Sequence, residues 1–479
     1  MMRNILYQSV IILGALLLFS CNMRKDTEKE QASTQFTGQD GEIRLVVLDP
    51  GHFHASLLQK FPQRQVNDTV HVYAPEGNEL DQYLESIESY NQRPENPTNW
   101  QIVLYAGEDY LGKMIEEKNG NVVILAGNNR KKTEYIFQSL NAGFNILSDK
   151  PMAISKENFN LLKAAFDSAH THGSYLLDVM TERNEIINTL TRKLVNRKEL
   201  FGELQAGTPD NPGIVMESVH HYYKEVSGNT LVRPVWFYDV EQQGEGIADV
   251  SVHLIDLINW QCFPDQIIDY TNDVQMTAAS HWPTRLTLQD FSKSTKLNAF
   301  PDFLQKYINN SVLEVYGNGK INYQVKGKNV SVTVLWNYEA PKGGGDTYNG
   351  LIRGTNASIE IVQDQSVNYI KELFIQKEKS FDEQTFDSNI VKAVTDLQAS
   401  YPYVSAEKIE EGRYQIIAPV EFRKGHEDYF GMVAEKYFGY LVNRDMPEWE
   451  ISNTIAKYYI TTTALEMAKD IDPSDSQNN

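Results

Sequence analysis

The sequence predicts an α/β protein whose first part is a doubly wound parallel sheet. Three observations predict it. Between Ile43 and Leu147, aliphatic and β-branched runs alternate with helix-like stretches, the pattern of parallel strands joined by crossover helices. The run Asn121–Ala126 is continuously apolar at its centre, as in a strand covered on both faces. Small, polar turns, Asp49-Pro50-Gly51 and Ala126-Gly127-Asn128-Asn129-Arg130, follow two of the runs. In such sheets the ligand sits at the carboxyl ends of the strands, where these turns fall.

Taken in order, Ile43–Leu48 predicts the first strand and His54–Phe61 a helix. Val70–Ala74 is the second strand, and Ile102–Tyr105 the third. A helix runs from about Asp109 to Lys118, followed by the fourth strand. Thr133–Ala142 is a helix and Asn145–Leu147 the fifth strand. Residues 78–99 are polar and rich in Asn and Pro, and are expected as an insertion over one edge. Right-handed crossovers leave few topologies for this order. Later, Ser331–Tyr338 alternates as a strand, Pro341–Asp346 reads as a mobile loop, and Gly425–Ala468 is helical and aromatic-rich.

The 479 residues suit two or three domains. A net charge of −20 argues against a nucleic-acid partner. Arg3 precedes an apolar run, Val10–Phe19, too short to span a bilayer, which ends in Leu18-Phe19-Ser20-Cys21. This resembles a bacterial lipoprotein signal, with Cys21 as the lipidated residue that holds the protein at a membrane. The expected divisions are a signal peptide at 1–20, a tether at 21–41, a nucleotide-binding domain at 42–175, a substrate domain at 176–470 and a flexible tail at 471–479. The expected location is that of an exported lipoprotein, facing the periplasm or on the outer membrane of a bacterium. Cys262 is the only other cysteine, so lipidation of Cys21 leaves no intrachain disulfide.

Three stretches carry residues suited to chemistry. Read as a helix, 244–260 places Asp249, His253, Asp256 and Trp260 on one face. Two carboxylates and an imidazole so aligned suit acid–base work on a hydroxyl; a capped helix with a solvated polar stripe is the plainer alternative. The turn Asp49–His54 holds Gly51 alone where a dinucleotide site would carry Gly-x-Gly-x-x-Gly. The amides of Gly51, His52, Phe53 and His54 could still face an anion. His52 and His54 could ligate a metal or donate to phosphate, but such pairs are more often structural, and no metal is expected. Gly127, Asn128 and Asn129 fit a loop under a cofactor ring, or a simple tight turn.

The stretch Val122–Pro151, VVILAGNNRKKTEYIFQSLNAGFNILSDKP, resembles the Gfo/Idh/MocA family of sugar-related oxidoreductases, whose strand, Asn-containing loop, helix and Glu-Lys-Pro motif follow in this order. Asp149 stands where the family has Glu. Arg233–Phe237 and Gly246–Asp256 resemble its R-P-x-W stretch and its G-x-x-x-D-x-G-x-H-x-x-D helix, with Ser251 replacing the usual Gly. The whole most resembles a lipoprotein branch with a "putative oxidoreductase" C-terminal domain.

The resemblance implies a Rossmann-like first domain and a second, α+β domain with a large open, mainly antiparallel sheet, through which a homo-oligomer could form. It implies Lys150, Asp249 and His253 as catalytic residues and Pro151, often cis, beside them. It implies NAD or NADP, held tightly, against Asp49, Gly51, His52, Phe53, Glu76, Gly127, Asn128, Asn129, Asp149 and Pro151. Glu76, after the second strand, would accept from a ribose hydroxyl and favour NAD. A sugar or glycoside would meet His220, Tyr222, Trp236 and Asp256, with Trp336 a further aromatic candidate.

Three readings follow: a dehydrogenase of sugar hydroxyls, a redox-neutral glycosidase that recycles its bound NAD, and a non-catalytic carbohydrate-binding lipoprotein. The second takes weight from the expected export, which separates the protein from soluble NAD. The export reading has its own test. Cys21→Ala should release mature protein into the soluble fraction or block its processing, as fractionation and mass spectrometry would show. Unchanged membrane association and processing would contradict it.

Overall fold

The structure, a computed structural model, describes residues 36–226 and 229–470. Cys21, the signal segment, the tether up to residue 35 and the tail at 471–479 lie outside the described residues. Among the described residues no helix is long and apolar enough to cross a membrane. Residues 36–41 join the first domain rather than the tether: Phe36 is buried in its core, and Glu42 accepts hydrogen bonds from the Thr37 and Gly38 amides.

The first sheet consists of β1 (Leu45–Leu48), β2 (Thr69–Ala74), β3 (Gln101–Ala106), β4 (Val122–Leu125), β5 (Asn145–Ser148) and β6 (Leu176–Asp178). All pairs are parallel, in the order β3-β2-β1-β4-β5-β6. Every residue of β1 and β4 is buried, which explains their unbroken aliphatic runs. The order reverses between β1 and β4, so a crevice opens beyond their carboxyl ends. β6 extends this domain past the expected boundary at 175.

Connecting helices are α1 (His54–Leu57), α2 (Asn78–Gln92), α3 (Tyr110–Glu117), α4 (Asn129–Asn141) and α5 (Lys156–His172). Helix α2 corrects the expected insertion at 78–99: it is the regular crossover from β2 to β3. Its buried face is only Leu80, Tyr83 and Ile87, a thin i, i+3, i+7 stripe masked by polar neighbours.

The second sheet is large and mainly antiparallel. An interior strand, β7 (Ile214–Tyr223), pairs in parallel with Lys328–Glu339 on one side and antiparallel with Thr347–Arg353 on the other. Val274–Leu286 is an edge strand of this sheet. Helices α6 (Gly246–Asp249) and α7 (Ser251–Cys262) cover its inner face. They meet at Val250, so the expected single helix has a joint. Nearly all of α7 is buried, which rules out a solvated polar stripe.

Two C-terminal helices, α8 (His426–Asn443) and α9 (Glu448–Lys469), return to the first domain. Phe430, Val433, Tyr437 and Phe438 of α8 complete its core. Tyr458 of α9 donates to Asp178 Oδ2 at 2.7 Å and accepts from the Met152 amide at 2.8 Å. Fully buried Lys457 bridges Asp178 Oδ2 (2.8 Å) and Asp256 Oδ1 (3.1 Å). Arg183 grips both oxygens of Asp256 and reaches Glu450. Buried carboxylates left without their cation are costly. Lys457→Ala should therefore lower the unfolding free energy by roughly 3–5 kcal/mol in chemical denaturation; a loss below about 1 kcal/mol would show that the network is not holding the domains together.

Candidate functional site

Two turns build the floor of the cleft between the domains. After β1, Asp49 takes a left-handed conformation (φ 48°), and its carboxylate accepts from Tyr135 at 2.8 Å. Burial raises the Asp49 pKa, against the Tyr135 bond. The turn after β4 crosses this one so closely that a Cβ on Gly127 would lie 2.5 Å from the Asp49 carbonyl oxygen and 2.8 Å from the Gly51 amide nitrogen. Glycine at 127 is thus demanded by the crossing of two backbones. Asn128 caps α4, accepting from the Arg130 amide at 3.0 Å, and donates to Gln242 of the second domain at 2.7 Å. Asn129 donates to the Gln243 carbonyl at 2.7 Å.

The outer part of the cleft, about 290 Å³, is lined by Asp49, Gly51, Glu76, Tyr110, Asn128 and Trp236, with Arg130 and Lys131 at the start of α4. The inner part, about 210 Å³, brings together His52, Phe53, Gly127, Asn129, Asp149, Lys150, His220, Trp236, Asp249, His253 and Trp336. All three residues expected to be catalytic line this inner part.

Lys150 follows β5 and donates to Asp249 Oδ1 at 2.7 Å across the domain boundary. Burial opposes its charge, but Asp249 and Asp149 outweigh that and hold its pKa above the ordinary value. Burial likewise works against the Asp249 carboxylate; the Lys150 charge and a hydrogen bond from Gln243 at 2.8 Å keep its pKa below the usual range. His253 stands one turn along α7. Burial, then the Lys150 charge, lower its pKa to about 3. The imidazole is neutral at physiological pH, and its Nδ1 is buried without a partner.

Other expected residues fall elsewhere. Asp256, expected at the substrate, has its oxygens occupied by Arg183 and Lys457 and points away from the cleft. Tyr222 is buried behind the wall, stacked on Tyr238 at 5.4 Å and set against Trp336 at 5.0 Å. Pro151 is buried, joined to Lys150 by a cis peptide as the resemblance implies. His220 sits on the interior strand β7, 3.3 Å from Asp346, which also pairs with His221 and Lys224. That anchor fixes the end of the segment 341–346 read as a mobile loop.

Several site residues were not singled out from the sequence. Lys132 is fully buried, donating to Asn129 and to the Asp149 carbonyl; burial pushes its pKa down to about 8. Gln243 orients Asp249, and its place just before Gly244 was the one local signal. Arg233, noted only as the start of the R-P-x-W stretch and given no role, donates to the His221 carbonyl at 2.9 Å and lies over the Trp336 ring. His426 enters from α8, and only tertiary structure brings it there.

The family model described as "Putative oxidoreductase C terminal domain" matches residues 190–469. The structure is similar to that of a "putative oxidoreductase" from Parabacteroides merdae ATCC 43184, with 48% identity and a TM-score of 0.89 over 91% of this chain and 99% of that one. It shares its fold with the WlbA dehydrogenase of Bordetella pertussis, solved with NADH and UDP-GlcNAcA, at 14% identity and TM-score 0.52 over 91% and 97% of the two chains. A levoglucosan dehydrogenase solved with NADH and levoglucosan has 14% identity and TM-score 0.55 over 89% and 97%. No curated protein matches the sequence. The chain belongs to the oxidoreductase family that the C-terminal domain model defines, on the two-domain architecture of Gfo/Idh/MocA enzymes.

The neutral His253 makes a stability prediction. Unfolded, an imidazole protonates near pH 6.5, whereas folded His253 does so only near 3. The unfolded state therefore binds the extra proton between these values, and the stability His253 permits above pH 6.5 is lost as pH falls through that window. The stability of wild type relative to His253→Asn should decline as pH falls below about 6.5. A difference independent of pH between 7 and 5 would contradict a neutral buried imidazole.

Proposed function

We propose that this oxidoreductase acts on a hydroxyl group of a sugar or glycoside, with a nicotinamide dinucleotide in the cleft and Lys150 and His253 at the reacting oxygen. The observation that carries this reading is the Lys150–Asp249 pair, 2.7 Å across the domain boundary, beside a neutral imidazole in one cleft.

The lining of the outer cleft fits a dinucleotide. Glu76 stands exposed at the carboxyl end of β2, where a carboxylate would accept from a ribose hydroxyl and select NAD over NADP. The thirteen-residue helix α4 begins there, so its N-terminus, with Arg130 and Lys131, offers positive potential to phosphate. These groups replace the missing glycine-rich fingerprint. Gly51 and the amides at 52–53 would complete the contact. Dinucleotides bind to similar folds in the WlbA and levoglucosan dehydrogenases. When bound, a nicotinamide supplies the acceptor for the hydride leaving the hydroxyl-bearing carbon.

The protein's own groups handle the proton. The Lys150 ammonium donates to the substrate oxygen and stabilises its developing negative charge. The neutral imidazole of His253 accepts the proton, with the nearby Glu182, Asp249 and Asp256 carboxylates favouring the imidazolium that forms. Asp249, already engaged by Lys150 and Gln243, positions the lysine. Trp236 and Trp336 give the sugar apolar faces to lie on.

Mass spectrometry of small molecules released on denaturing the purified protein should find NAD or NADP. With an oxidised substrate identified by product analysis, His253→Ala and Lys150→Ala should each lower turnover by roughly a hundredfold or more, with the fold intact. No released nicotinamide and no thermal shift with either dinucleotide would overturn the proposal. Free sugar formed with no net change in cofactor would assign the cleft to redox-neutral glycoside cleavage instead.

A further inference from the structure

The turn after β1 carries a cluster for which hydride transfer has no use. His52 and His54 flank the Asp149 carboxylate, their rings edge to face with centroids 4.0 Å apart. Both Nδ1 atoms lie near one oxygen. His54 Nδ1 lies 2.9 Å from Asp149 Oδ2, and His52 Nδ1 lies 3.7 Å from the same atom. The first contact is an ordinary hydrogen bond. The second is too long to be one, and His52 Nδ1 is buried with no hydrogen-bond partner. A buried polar atom left unpartnered asks for a cause. Two imidazoles beside a single carboxylate oxygen, one of them unpartnered, are a donor set that an ion between the three groups would complete.

The spacing agrees. Ligand atoms about 2.0–2.1 Å from a tetrahedral ion stand roughly 3.3 Å from one another. The two distances to Asp149 Oδ2 bracket that separation, and one ligand atom from each of the three residues lies within 4.8 Å of the others. We propose that His52, His54 and Asp149 hold one divalent transition-metal ion, through the two Nδ1 atoms and Asp149 Oδ2, with a coordination position open to the cleft. Two imidazoles with one carboxylate suit Zn²⁺, Co²⁺ or Fe²⁺ better than Mg²⁺ or Ca²⁺, which prefer all-oxygen sites.

The surroundings allow the added charge. The Lys150 ammonium is taken up by Asp249, and Lys132 is held by Asn129 and the Asp149 carbonyl. The His426 ring, 5.6 Å from that of His54, closes the far side. A contrasting cluster shows what a non-metal arrangement looks like here: Asp346 also faces two histidines, His220 and His221, but Lys224 fills the position an ion would take. The open position at His52–His54–Asp149 faces the space lined by Lys150 and His253, so an oxygen of a bound substrate is the ligand it would accept. Such an ion would polarise that oxygen alongside Lys150. The ion site does not depend on the nicotinamide, and its test reads metal binding directly.

The chelator-stripped full protein is titrated with Co²⁺, followed by visible ligand-field absorption and by melting temperature. One equivalent should produce a saturating band and raise the melting temperature, and Zn²⁺ should displace the band. His52→Ala should weaken Co²⁺ binding by more than tenfold, since hydrogen-bond partners of metal ligands alone are worth about 10–100-fold. Its ring carries no hydrogen bond on Nδ1, so circular dichroism should show the variant folded. Asp149→Asn, which keeps the side-chain shape, should lose the band as well. No band at stoichiometric Co²⁺, or a band undiminished in folded His52→Ala, would overturn the proposal.

Discussion

The cleft depends on one ion pair, Lys150 with Asp249. The lysine comes from the end of the fifth parallel strand and the aspartate from the last turn of a helix on the second sheet, ninety-nine residues later. Asp249 is buried and Lys150 largely so, and a buried charge without its partner costs several kcal/mol. The pair therefore fixes where the second domain sits over the carboxyl ends of the first sheet. Asn128 and Asn129, reaching to Gln242 and Gln243, set the same approach from the neighbouring turn. Deeper in, Asp178, Lys457, Asp256 and Arg183 make a second charged seam. Two chains of paired charges, rather than an apolar surface alone, thus give the domains one relative placement.

The electrostatics of the cleft follow from that placement. Lys150 stays an ammonium because carboxylates face it, and its charge is one reason His253 stays neutral. A permanent donor and a neutral acceptor side by side are what removal of a hydroxyl proton requires. In the proposed reaction the Asp249 carboxylate, which accepts from Lys150 at 2.7 Å, holds the donor still.

Much of this was legible in the sequence because it is local. Continuous aliphatic runs betray β1 and β4, since both their faces are covered. The spacing of Lys150-Pro151 after β5, and of Asp249 and His253 at i and i+4, survives in one dimension. What escaped was either masked or non-local. Helix α2 hides its core contact in three residues among polar ones. Asp256 shares the helix with His253 but, a turn further along, meets Arg183 and Lys457, which no spacing rule foretells. Tyr222 and Trp336 looked alike as aromatics, yet only Trp336 lines the cleft, because Tyr222 stacks behind it. His426 and Asp346 arrive from segments ninety or more residues beyond Asp256. Gly127 was read as part of a loop under a cofactor ring or of a tight turn; only its spatial neighbours show that glycine is required there because two turns cross.

The most direct measurement of the central claim is a crystal structure of the protein grown with NADH. The account predicts the adenosine end beside Glu76 and the dihydronicotinamide ring in the inner cleft, with its C4 open to the space between Lys150 and His253. A well-ordered structure in which the dinucleotide binds elsewhere, or in which that ring lies beyond reach of both side chains, would contradict it.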